Sequence, residues 1–419
     1  MKKKINQLLS QLMDLHPKYI DLSLDRLKLL LKKLNNPHLS LPTTIHIAGT
    51  NGKGSTLNYL SEILKFNNYS IHTYISPHLV NFNERIIINN KEIKSKNLYE
   101  TLKYVQQINN KRPITFFEIT TAAAFLLFSQ NKADFLILET GLGGRLDATN
   151  IIPNSLINII TPISFDHQEF LGKSLNKITN EKLGIIKPKS NVIIGKQNNK
   201  VIQIIKNKLK NKKNVLYFDK NFRIEKKLNK KFLLNFNQKK YLINKPNLLG
   251  EHQVDNVCCA VLAALLIKKN GYKINLSSLN YGILNSKWPG RLELIKFKQK
   301  QIFLDGSHNP DGAMKLKNFL EKNHLKPWVL FGMMNNKNIV EFLRILKNQI
   351  NGIIAIKIPN EKNSFNTNQI LNSCNKYGIH CIEKKSLTHG LNFLLKKNSK
   401  YSLITGSLYL AGKARKKIL

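Results

Sequence analysis

Short, wholly apolar runs alternate along this chain with longer stretches whose apolar residues recur at helical spacing. Runs of the first kind predict strands buried on both faces, and stretches of the second kind predict helices with one face on a core. Leu8, Leu9 and Leu12, then Leu27, Leu30, Leu31 and Leu34, make the first 35 residues or so largely helical. A buried strand follows over 44–48, a helix over 55–66 and a strand over 70–75. A helix over 120–131 opens from Phe116-Phe117-Glu118, and a strand over 133–138 ends on Glu139. Further strands are expected over 155–160 and 191–194. Strands alternating with helices predict a mostly parallel sheet covered on both faces.

From about 197 to 245 the pattern changes, and the runs 232–236 and 241–243 predict a hairpin in a small antiparallel insert. A helix then follows His252-Gln253 through Ala260, Leu262 and Leu265. Trp288-Pro289-Gly290-Arg291 punctuates the chain, and beyond it the alternation restarts. Strands are expected there over 301–304, 328–331, 352–356, 379–382 and 401–405, with helices over 313–322 and 339–348 among them. No internal repeat is evident.

Composition changes this picture little. The hydrophobic fraction of 42% and charged fraction of 22% are those of a globular protein. The net charge of +42 is unusual. A polyanion partner is one reading. Yet the excess is Lys, spread along the chain with Asn and Ile, as an A+T-rich coding bias would leave it on solvated faces. The expectation is therefore no nucleic-acid partner. Cys258, Cys259, Cys374 and Cys381 form no C-x-x-C pattern and are expected to be reduced core residues. Polar residues interrupt the basic start, and no apolar run is long enough to span a bilayer, so a cytoplasmic protein without a membrane partner is expected.

The chemistry concentrates at strand ends. Gly49, Thr50, Asn51, Gly52, Lys53, Gly54 and Ser55 lie between a buried strand and a helix. Glycines there let the backbone approach phosphates, the helix N-terminus faces them, and Lys53 adds a positive charge. The loop departs from the usual phosphate-loop pattern, because Ile47 stands where its first Gly would fall and Gly54 separates Lys53 from Ser55. Glu139 closes an apolar strand where a Mg2+ ligand would be useful, and a simply solvated acid is the alternative. Gly141, Gly143 and Gly144 precede Arg145, Leu146 and Asp147 in a loop suited to close backbone contact. Asp166-His167 lies just beyond another strand, and Asp305-Gly306-Ser307-His308-Asn309-Pro310 closes the first strand of the second domain. A satisfied structural histidine and an Asx turn capping a helix are the alternatives there.

Together these motifs resemble the folylpolyglutamate synthase and dihydrofolate synthase family, within the Mur ligase superfamily. The resemblance spans nearly the whole chain. It rests also on Asp21-Leu22-Ser23-Leu24-Asp25-Arg26, Ser76-Pro77-His78-Leu79, Thr115-Phe116-Phe117-Glu118, Glu181-Lys182-Leu183-Gly184, Pro289-Gly290-Arg291 and Gly406-Ser407. The Gly-Lys-Gly order of the loop is the form this family shows. The resemblance implies an α/β fold: a P-loop-type, mostly parallel sheet domain with a small antiparallel insert over 1–290, and a smaller Rossmann-like α/β domain over 291–419.

It implies ATP-dependent amide ligation, in which a pteroate or folate carboxylate becomes an acyl phosphate that the amine of L-glutamate attacks. Dihydropteroate or folates, L-glutamate and ATP would be its small-molecule partners, with Mg2+ and a monovalent cation as candidate cofactors. By similarity, Ser76, Glu139 and His167 would hold Mg2+, and Lys53, Lys182 and His167 would be catalytic. The loop from Gly49 to Ser55 would bind the nucleotide, with Asn256, Arg291 and Asp305. Asp21 to Arg26, Thr115 to Glu118, Arg145 to Asp147 and His308 would contact substrate, and Lys182 matches a position carbamylated in the family. A monomer is expected. The rivals are a cell-wall amide ligase of the same superfamily, a nucleic-acid-dependent ATPase and a nucleotide-binding regulator. The 21–26 and 116–118 segments favour folate over the first.

Overall fold

The computed structural model describes residues 1–18 and 20–419. It divides into two compact units. The first comprises 1–163, 173–245 and 255–286, and the second comprises 164–172, 246–254 and 287–419.

The first unit is built on β1 (Thr43–Ala48), β2 (Ile71–Tyr74), β3 (Ile86–Ile88), β4 (Lys91–Glu92), β5 (Phe135–Glu139), β6 (Ile157–Ile160), β7 (Asn191–Ile194) and β8 (Val215–Tyr217). Their order across the sheet is β4-β3-β2-β5-β1-β6-β7-β8. All pairs are parallel except β2 with β3 and β3 with β4. The interior strands are wholly or almost wholly buried, as continuous apolar runs require. The crossover after β1 leads to β2 on one side of it, and the crossover after β6 leads to β7 on the other side. The ends of β1, β5 and β6 therefore border a crevice of the kind that binds ligands in open α/β sheets.

The helix Lys53–Lys65 follows β1, and the helix Phe116–Gln130, apolar nearly all round, packs into the core. Thr115 caps the latter through its side chain, and Glu118 returns the bond in a capping box.

The expected insert begins later than its composition suggests. The helix Asn199–Lys208 and β8 still extend the parallel sheet, with Val201 and Ile205 buried amid Lys and Asn. The antiparallel insert is β9 (Phe222–Lys227), β10 (Lys231–Phe236) and β11 (Lys239–Asn244), so the expected hairpin gains a third strand. The short strand β3, the edge strand β4, and the helices Ser95–Asn109 and Leu276–Asn285 were not anticipated from the pattern.

The second unit carries β12 (Glu293–Phe297), β13 (Lys300–Leu304), β14 (Trp328–Phe331), β15 (Gly352–Ala355), β16 (Cys381–Glu383) and β17 (Tyr401–Thr405), in the order β12-β13-β17-β14-β15-β16. Only β12 runs antiparallel, and apolar clusters pack on the two faces. All four cysteines are free, but Cys381 is only partly buried. No helix among the described residues is long and apolar enough to cross a membrane.

Candidate active site

In the first unit the loop after β1 is shaped by its neighbours. A Cβ on Gly49 would fall 1.9 Å from Thr161 Oγ1, so only glycine lets β1 turn against β6 here. The amides of Thr50 and Asn51 donate to the Pro162 carbonyl at 2.9 and 3.3 Å, and the helix Lys53–Lys65 then starts from a left-handed Gly52. Lys53 Nζ donates to the carbonyls of Gly49 and Thr50 at 3.2 and 3.3 Å. Lys182 Nζ reaches the same Gly49 carbonyl at 2.9 Å, although 133 residues separate the two. Two ammonium groups thus meet at the mouth of a helix N-terminus, where an anion is stabilised.

Glu139, at the end of β5, is buried and lies 4.0 Å from Lys53 Nζ. Its Oε2 accepts from the Ser76 amide at 3.3 Å. A buried carboxylate opposite a phosphate loop is a hard oxygen donor suited to Mg2+, which binds one or two carboxylates and completes its shell with phosphate and water.

Lys182 is placed by the loop after β5. The Arg145 amide donates to the Glu181 carbonyl at 2.7 Å, and its guanidinium pairs with the Glu181 carboxylate at 2.9 Å. Asn150 Nδ2 bridges the carbonyls of Arg145 and Gly184, both at 3.0 Å. Gly144 packs directly on the backbone of Glu181 and Lys182.

The expected substrate residues of the first unit fall into two groups. Arg26 joins Asp21 at 3.0 Å to Glu118 Oε2 at 3.1 Å, and that oxygen also accepts from the Thr115 amide and hydroxyl. The Phe117 ring covers Gly141 and stacks on Tyr74 at 6.0 Å. Leu22, Ser23 and Leu24 are half-buried, whereas Asp25 is exposed and pairs with Lys28 at 3.3 Å. Asp147 is 2% exposed, and its carboxylate is occupied by the amides of Leu142 and Thr149 and by the Thr149 hydroxyl. Burial raises its pKa, against these hydrogen bonds.

The Thr149 hydroxyl, donating to Asp147, accepts in turn from His46 Nε2 at 2.8 Å. Burial, with Lys187 nearby, lowers His46 to about 3, so the ring stays neutral. Asn256 faces Gly52, whose Cβ would fall 2.5 Å from the Asn256 Oδ1.

In the second unit Asp166 gathers cations. Its Oδ1 accepts from Lys337 Nζ at 2.6 Å and the His167 amide at 2.9 Å, and its Oδ2 lies 3.2 Å from Asn309 Nδ2 and 3.6 Å from His308 Nε2. Burial pushes its pKa up, but His308, Lys337 and His167 outweigh that and hold it well below the usual carboxylate range. His167 adopts a left-handed backbone at the start of a short helix. Asp305 accepts from the amides of Leu292 and Ser307, both at 3.0 Å, and the Arg291 guanidinium borders Gly306. Asn309 caps the helix Pro310–Lys322, so the Asx-turn reading of this motif also describes the structure.

Comparison with known proteins bears on this arrangement. The Mur ligase middle domain model matches residues 47–264, and the model of the dihydrofolate synthetase C-terminal domain matches 291–416. The chain is 31% identical to the dihydrofolate synthase/folylpolyglutamate synthase of Bacillus subtilis, over 94% of each chain. The chain belongs to that family. It is also 32% identical to a probable dihydrofolate synthetase of Schizosaccharomyces pombe, over 94% of this chain and 97% of that one. E. coli FolC in complex with DHPP and ADP superposes with a TM-score of 0.88 at 25% identity, over 99% and 97% of the two chains.

Within this chain, the sequence alone does not single out Lys337, His46, Thr149 or Thr161. Lys337 sits in an Asn-Asn-Lys-Asn run that nothing separates from the other Lys–Asn tracts. His46 lies unmarked inside an apolar strand, and Thr161 matters only because β6 abuts the loop after β1.

The neutral, buried His46 has a consequence for stability. Its folded pKa lies below the usual 6.5, so the unfolded chain binds more protons between these values. Its contribution is full above pH 6.5 and is lost as pH falls toward 3. In urea titrations from pH 7 to 4.5, the expected slope from this group approaches ~1.4 kcal/mol per pH unit. His46→Gln should flatten it by up to that amount. An unchanged slope would show that another group carries the titration.

Proposed function

We propose that this chain joins L-glutamate to dihydropteroate, and to the γ-carboxylate of tetrahydrofolate, with conversion of ATP to ADP and phosphate. The observation that carries the reading is the meeting of Lys53 and Lys182 on the Gly49 carbonyl at a helix N-terminus, with the Glu139 carboxylate beside Lys53. In this proposal the acceptor carboxylate attacks the γ-phosphorus of ATP. The bond to the β-phosphate oxygen breaks, ADP leaves, and an acyl phosphate forms. The glutamate amine then attacks the acyl carbon, phosphate leaves, and the amine loses its proton.

The first step brings anions together, so Lys53 and the backbone N–H groups of Gly52, Lys53, Gly54 and Ser55 stabilise the charge on the transferring group. Ser76 and Glu139 would hold Mg2+, which supplies further charge neutralisation when bound. Lys182, when unmodified, would hold the loop through Gly49 as an ammonium, and carbamylation would replace its positive charge with a negative one. Asn256 would contact nucleotide from the first unit. From the second unit Arg291 and Asp305 would contact nucleotide, His167 metal and His308 substrate. The Arg26–Glu118–Thr115 cluster and the Phe117–Gly141 contact would shape the pterin site. We further propose a cytoplasmic monomer that has no nucleic-acid partner. The solved FolC complex with DHPP and ADP supports this substrate pair.

The test supplies purified protein with ATP, Mg2+ and glutamate, then dihydropteroate or tetrahydrofolate in turn. Acceptor-dependent phosphate release with a glutamylated product is expected for each. Release that needs DNA and neither acceptor overturns the proposal. Turnover with dihydropteroate alone restricts it to the first addition.

A further inference from the structure

Arg85 ends the 3-10 turn Phe82–Arg85 and leads into β3. The residue is 6% exposed, yet it makes no ion pair with any described residue. Its one side-chain hydrogen bond runs from Nε to His78 Nδ1 at 3.0 Å. The guanidinium lies over the Phe82 ring at 4.9 Å and the Phe116 ring at 5.8 Å, which hold its plane. Its terminal nitrogens bond to no described residue and are not among the buried, unpartnered polar atoms.

The acids of neighbouring segments are committed elsewhere. The Glu84 carboxylate accepts from the amides of Leu79, Val80 and Asn81 at 2.7, 3.0 and 2.7 Å. Glu118 Oε2 serves Arg26 and Thr115, and Asp147 serves Leu142 and Thr149. A mostly buried cation without a counter-ion is costly, and ring faces repay only part of that cost. The planar fork of its free nitrogens matches a carboxylate in two parallel hydrogen bonds.

Its position suits the same chemistry. The Ile75 amide donates to the Arg85 carbonyl at 3.0 Å, and the next residue, Ser76, donates to Glu139, the acid beside Lys53. Phe116, beneath the guanidinium, starts the helix whose Phe117 covers Gly141.

We propose that Arg85 binds the carboxylate of the acceptor, which in dihydropteroate is the group that reacts. This rests on the acceptor class given under Proposed function and adds the residue that recognises its charge.

The test measures calorimetric binding of dihydropteroate, and of 6-methyl-7,8-dihydropterin, which keeps the ring without the carboxylate. Wild type, Arg85→Met and Arg85→Lys are compared. Arg85→Met should weaken dihydropteroate by about thirtyfold or more and change the methylpterin by no more than about threefold. Arg85→Lys should fall between, because it keeps the charge and loses the fork. Equal losses for both ligands, or none for dihydropteroate, overturn the assignment. Should Arg85→Met not fold, Arg85→Lys decides alone, and unchanged dihydropteroate binding by it is then the refuting result. If wild type binds neither pterin, the acceptor reading fails. The carboxylate site is then judged with p-aminobenzoate, whose binding Arg85→Met must abolish for the site to stand.

Discussion

Lys53→Ala is expected to abolish ligation while leaving the chain folded. The Lys53 ammonium is held by two backbone carbonyls and lies 4.0 Å from Glu139, so it is anchored where the transferring phosphate would sit. Its native hydrogen bonds are few, and their loss should cost about 1 kcal/mol of stability. The proposed role in stabilising the charge of the transferring group would be far larger. Removing one such group typically lowers turnover by about a hundred- to a thousandfold, or about 3–4 kcal/mol. Acceptor-dependent phosphate release and a thermal melt on the same preparation separate the effects. A melt near that of wild type with phosphate release at background is the expected pair of results. Wild-type turnover in the variant would remove Lys53 from the mechanism.

The second large effect is expected at Gly144, far in sequence from that loop. A Cβ there would fall 2.6 Å from the Glu181 carbonyl oxygen, 2.9 Å from that of Lys182 and 3.0 Å from the Lys182 Cα. These are backbone atoms, which cannot rotate aside. The loop itself is fastened to the same helix end by the Arg145 amide and Asn150. Gly144→Ala must therefore push the end of the helix Leu175–Leu183 outward, at about 1–3 kcal/mol. Lys182 rides on that segment, so its Nζ should lose the Gly49 carbonyl. Urea melts should show a lower midpoint at unchanged slope, and ligation should fall further than the population of folded protein does. Full activity with reduced stability would show that the position of Lys182 does not matter to turnover.

How much of this was legible depended on how completely each element is buried. The strands β7, β14 and β17 coincide residue for residue with the runs expected from sequence, because apolar neighbours on both faces leave no alternative side-chain pattern. The edge strand β4 and the antiparallel β12 carry no such run, β3 is a run of only three isoleucines, and all three exist because a neighbouring strand offers them partners. Between 197 and 221, the abundance of Lys and Asn hid a helix whose core face is only Val201 and Ile205.

The same division holds at the site. The chain alone determined that a glycine loop with Lys53 follows a buried strand, that Glu139 closes another, and that the order of motifs is that of one ligase family. Those are local properties, fixed by which residues adjoin a strand end. Only the tertiary structure decided that Lys182 meets Lys53 on one carbonyl, that Thr161 forbids a side chain at Gly49, and that Asp147 is held by Thr149 and His46. It also decided that Arg85 meets no acid among the described residues, because Glu84 beside it is bound to the loop 79–81. Each depends on which groups the parallel sheet brings together across long separations, and a partner's absence, like its presence, is a property of the packed chain.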